Sequence, residues 1–137
     1  MSRYTALIDG QAGGYGVVFP DMLGCTAMGD TIDLALANAA DAMRDWMEMT
    51  VESSGIIPAP RSLEALRADP EVVAALAEGA SLASVPLIRH SGKPARANLS
   101  IDAGILSAID EEAIRRKLTR SAFIELMAKH ALPEMAQ

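Results

Sequence analysis

Residues 95–102 read Ala-Arg-Ala-Asn-Leu-Ser-Ile-Asp, and this stretch decides how the last third of the chain folds. Apolar and polar side chains alternate through it with a period of two. The apolar positions are Ala97, Leu99 and Ile101, and the polar positions are Arg96, Asn98 and Ser100. This alternation predicts a β-strand over residues 95–101 with one apolar and one polar face.

Two helices are predicted to follow this strand. Asp102 is a suitable N-cap for a helix from residue 103 to about 117, and Thr119 for a helix from residue 120 to about 131, which we expect Pro133 to end. The expected apolar stripes are Ile105, Leu106, Ile109 and Ala113 on the first helix and Phe123, Ile124, Met127 and Ala128 on the second.

A lone strand with two helices, roughly 40 residues in all, buries too little apolar surface to fold alone, and its strand leaves both backbone edges unpaired. A two-fold dimer solves both problems by pairing the strand with its copy. The resulting ribbon would present Arg96, Asn98 and Ser100 twice, and these are residue types that bind base edges in the DNA major groove. The alternative is a solvated edge strand of an ordinary α+β domain.

The start of the second helix predicts a phosphate site. Unpaired N–H groups around Thr119, Arg120 and Ser121 would bind a backbone phosphate, helped by the helix dipole and the arginine charge. Lys93 is a further candidate phosphate ligand ahead of the strand. The bases at residues 115–117 either belong to the same surface or form a solvated helix end, where cations favour the helix dipole.

The same residues resemble a known family. The stretch 95–101, followed by Ile105-Leu-Ser-Ala-Ile-Asp110 and Leu118-Thr-Arg-Ser-Ala-Phe-Ile124, is similar to the ribbon-helix-helix family of bacterial repressors. The resemblance implies that Arg96, Asn98 and Ser100 are the base-reading residues. It also implies that operator DNA is a ligand and that the chain is a homodimer or a tetramer.

The first part of the chain predicts three antiparallel strands and a long helix. The strands are expected at residues 4–8, 15–19 and 25–28, with Asp30 or Thr31 as the helix N-cap. The expected inward face of the helix is Ile32, Leu36, Ala39, Met43, Trp46 and Thr50, and its solvent face is Asp41, Arg44, Asp45, Glu48 and Glu52.

A weaker helical region is expected at residues 63–78, interrupted at Asp69-Pro70 and ended by Gly79. A fourth strand is predicted at residues 84–89, with Pro86 at a sheet edge or at the start of the strand. The predicted domains are therefore residues 1–90 and residues 95–137, joined by a hinge at residues 91–94.

Charge differs sharply between these two regions of the 137-residue chain. Residues 1–92 carry five bases and twelve acids, a net charge of −7, whereas residues 93–137 carry seven bases and six acids, a net charge of +1. The overall charge of −6 argues against a protein that coats nucleic acid along its whole length. The single cysteine, Cys25, excludes an internal disulfide, and with no apolar leader or membrane span we expect a cytoplasmic protein without membrane contact.

The run Gly13-Gly-Tyr-Gly-Val-Val-Phe-Pro-Asp-Met-Leu-Gly-Cys25, then Gly29-Asp-Thr31 and an alanine-rich helix, closely resembles the HicB antitoxin family. The resemblance implies an α+β protein with a partial ribonuclease-H-like β-β-β-α-β domain before the ribbon-helix-helix (β-α-α) domain. It also implies a partner, a HicA-like mRNA interferase toxin that the antitoxin occludes. One departure is Leu23, where the family usually has proline.

We expect no enzyme activity, no catalytic residue, no metal and no cofactor. Ribonuclease H chemistry needs several carboxylates around divalent metal ions. Asp9 follows the first predicted strand and Asp21 lies in a turn, but no further acid lies on a predicted strand where it could complete such a site. The interpretation is a type II antitoxin that neutralises its toxin and represses its own operon. The alternative is a stand-alone ribbon-helix-helix repressor whose N-terminal domain senses a ligand or oligomerises.

Overall fold

The structure, a computed structural model, describes residues 2–135, so the outermost residues of the predicted ranges 1–90 and 95–137 lie outside the described part. The chain separates into two compact units, one ending at Arg89 and the other starting at His90. The elements are β1 (Arg3–Gln11), β2 (Gly14–Val18), β3 (Thr26–Gly29), α1 (Ile32–Glu52), α2 (Leu63–Arg67), α3 (Pro70–Ala77), β4 (Ser81–Pro86), α4 (Ala103–Arg115) and α5 (Arg120–Met135).

The first unit is built on a four-stranded sheet with strand order β3-β2-β1-β4, in which every neighbouring pair is antiparallel. The β1–β2 hairpin places Leu7 opposite Val18 and Gly10 opposite Tyr15. Gly10 has a φ of +93°, and a Cβ atom there would overlap the carbonyl oxygen of Gly14, so the turn requires glycine. The mixed α+β class with an antiparallel sheet is confirmed.

Helix α1 packs on one face of this sheet. Its fully buried residues follow a spacing of four and are Ala35, Ala39, Met43 and Met47. The predicted inward face therefore was right at Ala39 and Met43 but wrong at Ile32, which is 47% exposed. The helix turns its small alanines to the sheet because they permit close packing, whereas the prediction favoured the larger apolar side chains.

The start of α1 is held by the strand before it. Thr31 caps the helix, since its Oγ1 accepts a hydrogen bond from the Leu34 amide at 3.1 Å. A Cβ atom on Gly29 would lie 2.7 Å from the Ala35 Cα, so the helix backbone rests directly on β3. The Asn38 side-chain amide donates to the Met28 carbonyl at 2.8 Å and closes this contact from the helix side.

Helices α2 and α3 contribute a smaller core, in which Leu66 and Val72 pack with Leu7 of β1. The weak helical region predicted at residues 63–78 is confirmed as two helices that meet at Asp69-Pro70. The Asp69 carboxylate caps α3 by accepting from the Glu71 amide at 2.9 Å.

An ion-pair network fixes these helices to the β2–β3 loop. The amide and the guanidinium of Arg61 both donate to the Asp21 carboxylate, which is only 3% exposed. Arg61 Nη1 also donates to Asp69 at 2.9 Å, and this hydrogen bond lowers the pKa of Asp69. The Tyr4 hydroxyl donates to the Pro58 carbonyl at 2.8 Å, so the extended connector before Arg61 is tied to β1 as well.

The fourth strand lies three residues earlier than predicted, at Ser81–Pro86 rather than residues 84–89. Its register explains the difference, because Pro86 lies opposite Arg3, where β1 begins. One further hydrogen bond, from the Leu87 amide to the Ser2 carbonyl at 2.8 Å, continues the pairing by one residue beyond the start of β1. The prediction that Pro86 marks an edge strand is confirmed, although this proline ends the strand instead of starting it.

The second unit consists of α4, α5 and an extended segment before them. Asp102 caps α4 as predicted, and the helix ends at Arg115 in a Schellman motif whose left-handed residue is Lys117, with a φ of 58°. The expectation that Pro133 ends α5 is wrong, because the helix continues to Met135. A proline in the last turn removes one backbone hydrogen bond near a helix end, where little of the ladder depends on it.

We predict that Gly29→Ala destabilises the first unit by about 3 kcal/mol, since the added methyl overlaps the α1 backbone. Urea unfolding followed by the fluorescence of Trp46, the only tryptophan, measures this change. Gly14→Ala is the matched control, because its Cβ meets no atom within 4 Å. An equal effect of the two substitutions would contradict the close contact of α1 with β3.

Candidate nucleic-acid interface and acidic helix face

The residues predicted to bind bases lie in an extended, exposed segment. We name residues 93–101 the arm. Residues 93–100 are exposed, including Arg96, Asn98 and Ser100, and Ile101 is half-buried. Within the described residues, no backbone group from 95 to 101 has a hydrogen-bond partner, and the segment belongs to no strand.

The strand predicted at residues 95–101 is therefore not formed inside the single chain. A strand exists only with a hydrogen-bonded neighbour, and the first unit's sheet does not include the arm. The apolar side of the arm is uncovered as well, since Leu99 is 66% exposed. At its start lies a turn in which the Ser91 hydroxyl accepts from the Lys93 amide and donates to the Lys93 carbonyl, at 3.1 Å each.

The predicted phosphate site at the start of α5 is partly occupied by the protein itself. The Thr119 hydroxyl accepts from the Ala122 amide at 3.1 Å and so caps the helix. The Arg120 guanidinium donates twice to the Asp110 carboxylate, at 2.8 Å each, and this lowers the pKa of Asp110. The amides of Arg120 and Ser121, in the first turn, have no acceptor within the helix and point along its axis.

Two further bases of the second unit are also paired. Arg115 and Arg116 both donate to Glu112, and these hydrogen bonds lower the pKa of that carboxyl to about 2. The Arg116 guanidinium lies 5.6 Å from the centre of the Phe123 ring. Among the described residues, Lys93, Arg96 and Lys117 have no ion pair, so they carry free positive charge near the arm and the start of α5.

The first unit offers a different surface on α1. We name Asp41, Asp45, Glu48 and Glu52, all exposed, the acidic helix face. Arg44 pairs with Asp41 at 2.7 Å and is the only base within this run. Exposed apolar side chains lie next to this face. Met49 lies between Glu48 and Glu52 in sequence and is exposed. The Trp46 Nε1 donates to the backbone carbonyl of Leu23, a residue that is 86% exposed.

Other chemistry-bearing groups in the described residues are isolated. Within residues 2–135, no group of three or more histidine, cysteine, aspartate or glutamate side chains is placed to hold a metal ion. Cys25 is buried, and burial together with Asp45 raises the pKa of its thiol to about 11. None of the helices in this range combines the length and apolar composition needed to cross a bilayer.

Sequence reasoning singled out the residues of the arm and of the acidic helix face as candidates, but it missed the ion pairs. The pairing of Glu112 with Arg115 and Arg116 could have been predicted from the sequence, because residues three and four apart are neighbours on a helix. The pairing of Asp110 with Arg120 spans two helices and has no such local signal. The same holds for Arg61 and Asp21, which are 40 residues apart.

An antiparallel sheet with an acidic helix, followed by a small helical unit with an exposed arm, defines a mixed α+β protein of two units. A family model for the HicB-like antitoxins of bacterial toxin–antitoxin systems matches residues 4–128. The chain belongs to the HicB-like antitoxin family.

Solved structures and one phage protein are similar to the chain. The antitoxin HicB of Burkholderia pseudomallei is 32% identical, with a TM-score of 0.54 over 96% of this chain and 99% of that one. A HicA3–HicB3 toxin–antitoxin complex contains a chain that is 25% identical, with a TM-score of 0.53 over 63% of this chain and 98% of that one. A 14.9 kDa protein from the rep-hol intergenic region of Haemophilus phage HP1 (strain HP1c1) is 29% identical over 108 residues, 79% of each protein.

We predict that the Glu112 carboxyl titrates near pH 2 in the folded protein rather than near its ordinary value of 4.5. Because the folded pKa is depressed, its pairing stabilises the second unit above about pH 4.5 and is lost as the pH falls toward 2. NMR titration of the side-chain carboxyl measures the midpoint directly. Glu112→Gln should remove this part of the acid sensitivity, whereas Glu111→Gln, on the neighbouring exposed residue, should not; a Glu112 midpoint near 4.5 would contradict the pairing.

Proposed function

We propose that this chain is a type II antitoxin with two separate binding activities. Its first unit binds and occludes a HicA-like mRNA interferase, and its second unit dimerises as a ribbon-helix-helix domain that binds operator DNA and represses the operon. Neutralisation is steric and requires no catalysis. The arm is the observation that supports DNA binding. Its polar and apolar side chains alternate and are exposed, and within the described residues its backbone groups have no hydrogen-bond partner.

The second unit supports a dimer because one copy lacks a core. Its fully buried apolar residues are Ala113 and Phe123 among the described residues, whereas Leu99, Ile105 and Ile114 are exposed. Pairing the arm with its two-fold copy would satisfy its backbone groups and cover Leu99 from both copies. The polar side of that ribbon would then carry Arg96, Asn98 and Ser100 twice.

The paired bases refine the predicted DNA contacts. Arg96 has no ion pair in the described residues and is the strongest candidate for a guanine contact. The Arg120 guanidinium donates to Asp110, so it is not a free cation at the phosphate site. There the backbone amides of Arg120 and Ser121 would donate to the phosphate, with the guanidinium nearby. Lys93 and Lys117 add unpaired charge close to the arm and to the start of α5.

Charge and family support the toxin-binding half. The HicA3–HicB3 complex shows that a related chain of the family assembles with a toxin, and the similarity there covers 63% of this chain. A unit with a net charge of −7 suits a small basic partner, because opposite potentials speed association and disfavour wrong partners. We assign the toxin contact to the acidic helix face and place both activities in the bacterial cytoplasm, on a first unit of partial ribonuclease-H-like type.

For the DNA-binding half, Arg96→Ala should weaken binding to the promoter DNA of the chain's own operon. Each bidentate contact to a base that the substitution removes should cost about 1–3 kcal/mol of binding free energy. A gel shift at matched salt concentrations measures the affinity. Lys129→Ala is the matched control, because it removes one positive charge from the same unit outside the proposed interface. Equal affinities for wild type and Arg96→Ala would contradict the base-reading assignment.

For the toxin-binding half, the double variant Asp45→Lys/Glu48→Lys should weaken binding to the toxin by roughly tenfold or more at low salt, since it reverses the charge of the acidic helix face. Calorimetric titration of the 137-residue chain with a HicA-like toxin measures this. Glu64→Lys/Glu71→Lys, on α2 and α3, makes the same change of charge elsewhere. If no complex forms with the wild-type chain, the antitoxin assignment fails and the stand-alone repressor takes its place.

A further inference from the structure

The guanidinium of Arg120 is engaged along one edge only. Its Nε donates to Asp110 Oδ1 and its Nη2 donates to Asp110 Oδ2, at 2.8 Å each. This bidentate pairing is the strong geometry of an arginine–carboxylate contact, and it lowers the pKa of Asp110 and raises the pKa of Arg120. In the described residues Nη1 has no hydrogen-bond partner, and 54% of the Arg120 side chain is exposed.

The pairing differs from the other ion pairs of the second unit because it leaves no net charge. Glu112 is shared by Arg115 and Arg116, so these three side chains together remain positive. Asp110 pairs with Arg120 alone, and their two formal charges cancel. Arg120 is the arginine of the predicted phosphate site, so this site holds an arginine whose charge the protein itself opposes.

Arg120 is the first residue of α5, and the backbone around it is open to a ligand. The Thr119 hydroxyl accepts from the Ala122 amide, and the Thr119 carbonyl accepts from the Phe123 amide. The amides of Arg120 and Ser121 have no acceptor in the helix, so they remain available to a phosphate. Hydrogen-bond donors are therefore present at this site without a free positive charge.

We propose that Asp110 is a specificity-determining residue for DNA, an inference that rests on the DNA-binding half of the proposed function. Because Asp110 opposes the charge of Arg120, the phosphate contact depends on hydrogen-bond geometry at Nη1 and the helix amides rather than on attraction alone. When Arg96 binds its base, the dimer is fixed in one register on the duplex and a phosphate is aligned with these donors. On other sequences the phosphate is not aligned, and Arg120 contributes little.

The effect on specificity follows from how each kind of binding gains its free energy. Non-specific binding comes almost entirely from lysine and arginine charges that displace counterions from phosphates. Operator binding gains in addition from contacts to bases, which Asp110 leaves unchanged. A carboxylate at the phosphate site therefore weakens binding to random DNA more than binding to the operator. The ratio of these two affinities decides how well a repressor finds its operator among competing sites.

The test compares the wild-type 137-residue chain with Asp110→Asn, which keeps the side-chain shape and removes its charge. Gel shifts at several salt concentrations measure the affinity for the promoter DNA and for a random-sequence duplex of equal length. At low salt, Asp110→Asn should bind the random duplex roughly tenfold more tightly and the promoter no more than about threefold more tightly. On the random duplex, the slope of log affinity against log salt concentration should steepen by about two, because each copy of a dimer frees one charge.

Two further variants separate this effect from a change in net charge or in folding. Glu111→Gln makes the same change of charge at the neighbouring exposed residue, which has no ion pair in the described residues, and it should shift both affinities slightly and equally. Arg120→Gln completes a double-mutant cycle. In the wild-type background it should leave binding to the random duplex nearly unchanged, whereas in the Asp110→Asn background it should remove the gain.

A measurement on the wild-type chain does not depend on how the variants fold. The side-chain NMR signals of Arg120 should shift when promoter DNA is added and keep their free positions with the random duplex. Equal shifts on both duplexes would overturn the proposal, as would a ratio of affinities that Asp110→Asn and Glu111→Gln change alike. If the wild-type chain does not distinguish the promoter from the random duplex, the proposed DNA-binding function itself fails, whereas discrimination that Asp110→Asn leaves intact removes only the role of Asp110.

Discussion

An extended segment cannot satisfy its own backbone hydrogen bonds, and this constraint shapes both units of the chain. In the first unit, β1 and β2 are satisfied on both sides, and α1 closes part of the β3 edge through Asn38. The arm has no such neighbour within the described residues, although its side chains alternate as those of a strand do. A single copy of the second unit is therefore incomplete in both its backbone and its apolar contacts, and the two-fold pairing proposed above would supply both.

Charge is organised in the opposite way in the two units. The acidic helix face leaves most of its carboxylates exposed, with Arg44 pairing only Asp41. The second unit instead pairs Arg115, Arg116 and Arg120 with its own carboxylates, so fewer of its bases are free to contact a ligand than the sequence suggests. Long-range attraction of a basic partner is therefore expected of the first unit, whereas the unpaired bases of the second unit would act on a ligand only at short range.

The sequence predicted the elements of the fold well where one local signal dominated. Capping residues located the starts of α1, α4 and α5, and Asp69-Pro70 located the break between α2 and α3. The sequence-based prediction was wrong where strand register or side-chain packing determines the bounds or the buried face of an element. The bounds of β4 follow from where β1 begins, and the buried face of α1 follows from the contact with Gly29. Likewise, Arg96 could be named from its place in an alternating strand, but the engagement of Arg120 by Asp110 needed the three-dimensional arrangement.

The burial of Cys25 has a practical consequence. Cys25 lies in the loop between β2 and β3 with its side chain in the main core, and with a pKa of about 11 very little thiolate forms at neutral pH. A thiol-specific reagent can modify it only after that loop opens and the side chain meets water. Cys25 is the only cysteine of the 137 residues, so its rate of labelling by such a reagent reports local opening of the first unit. No engineered probe is needed for this measurement.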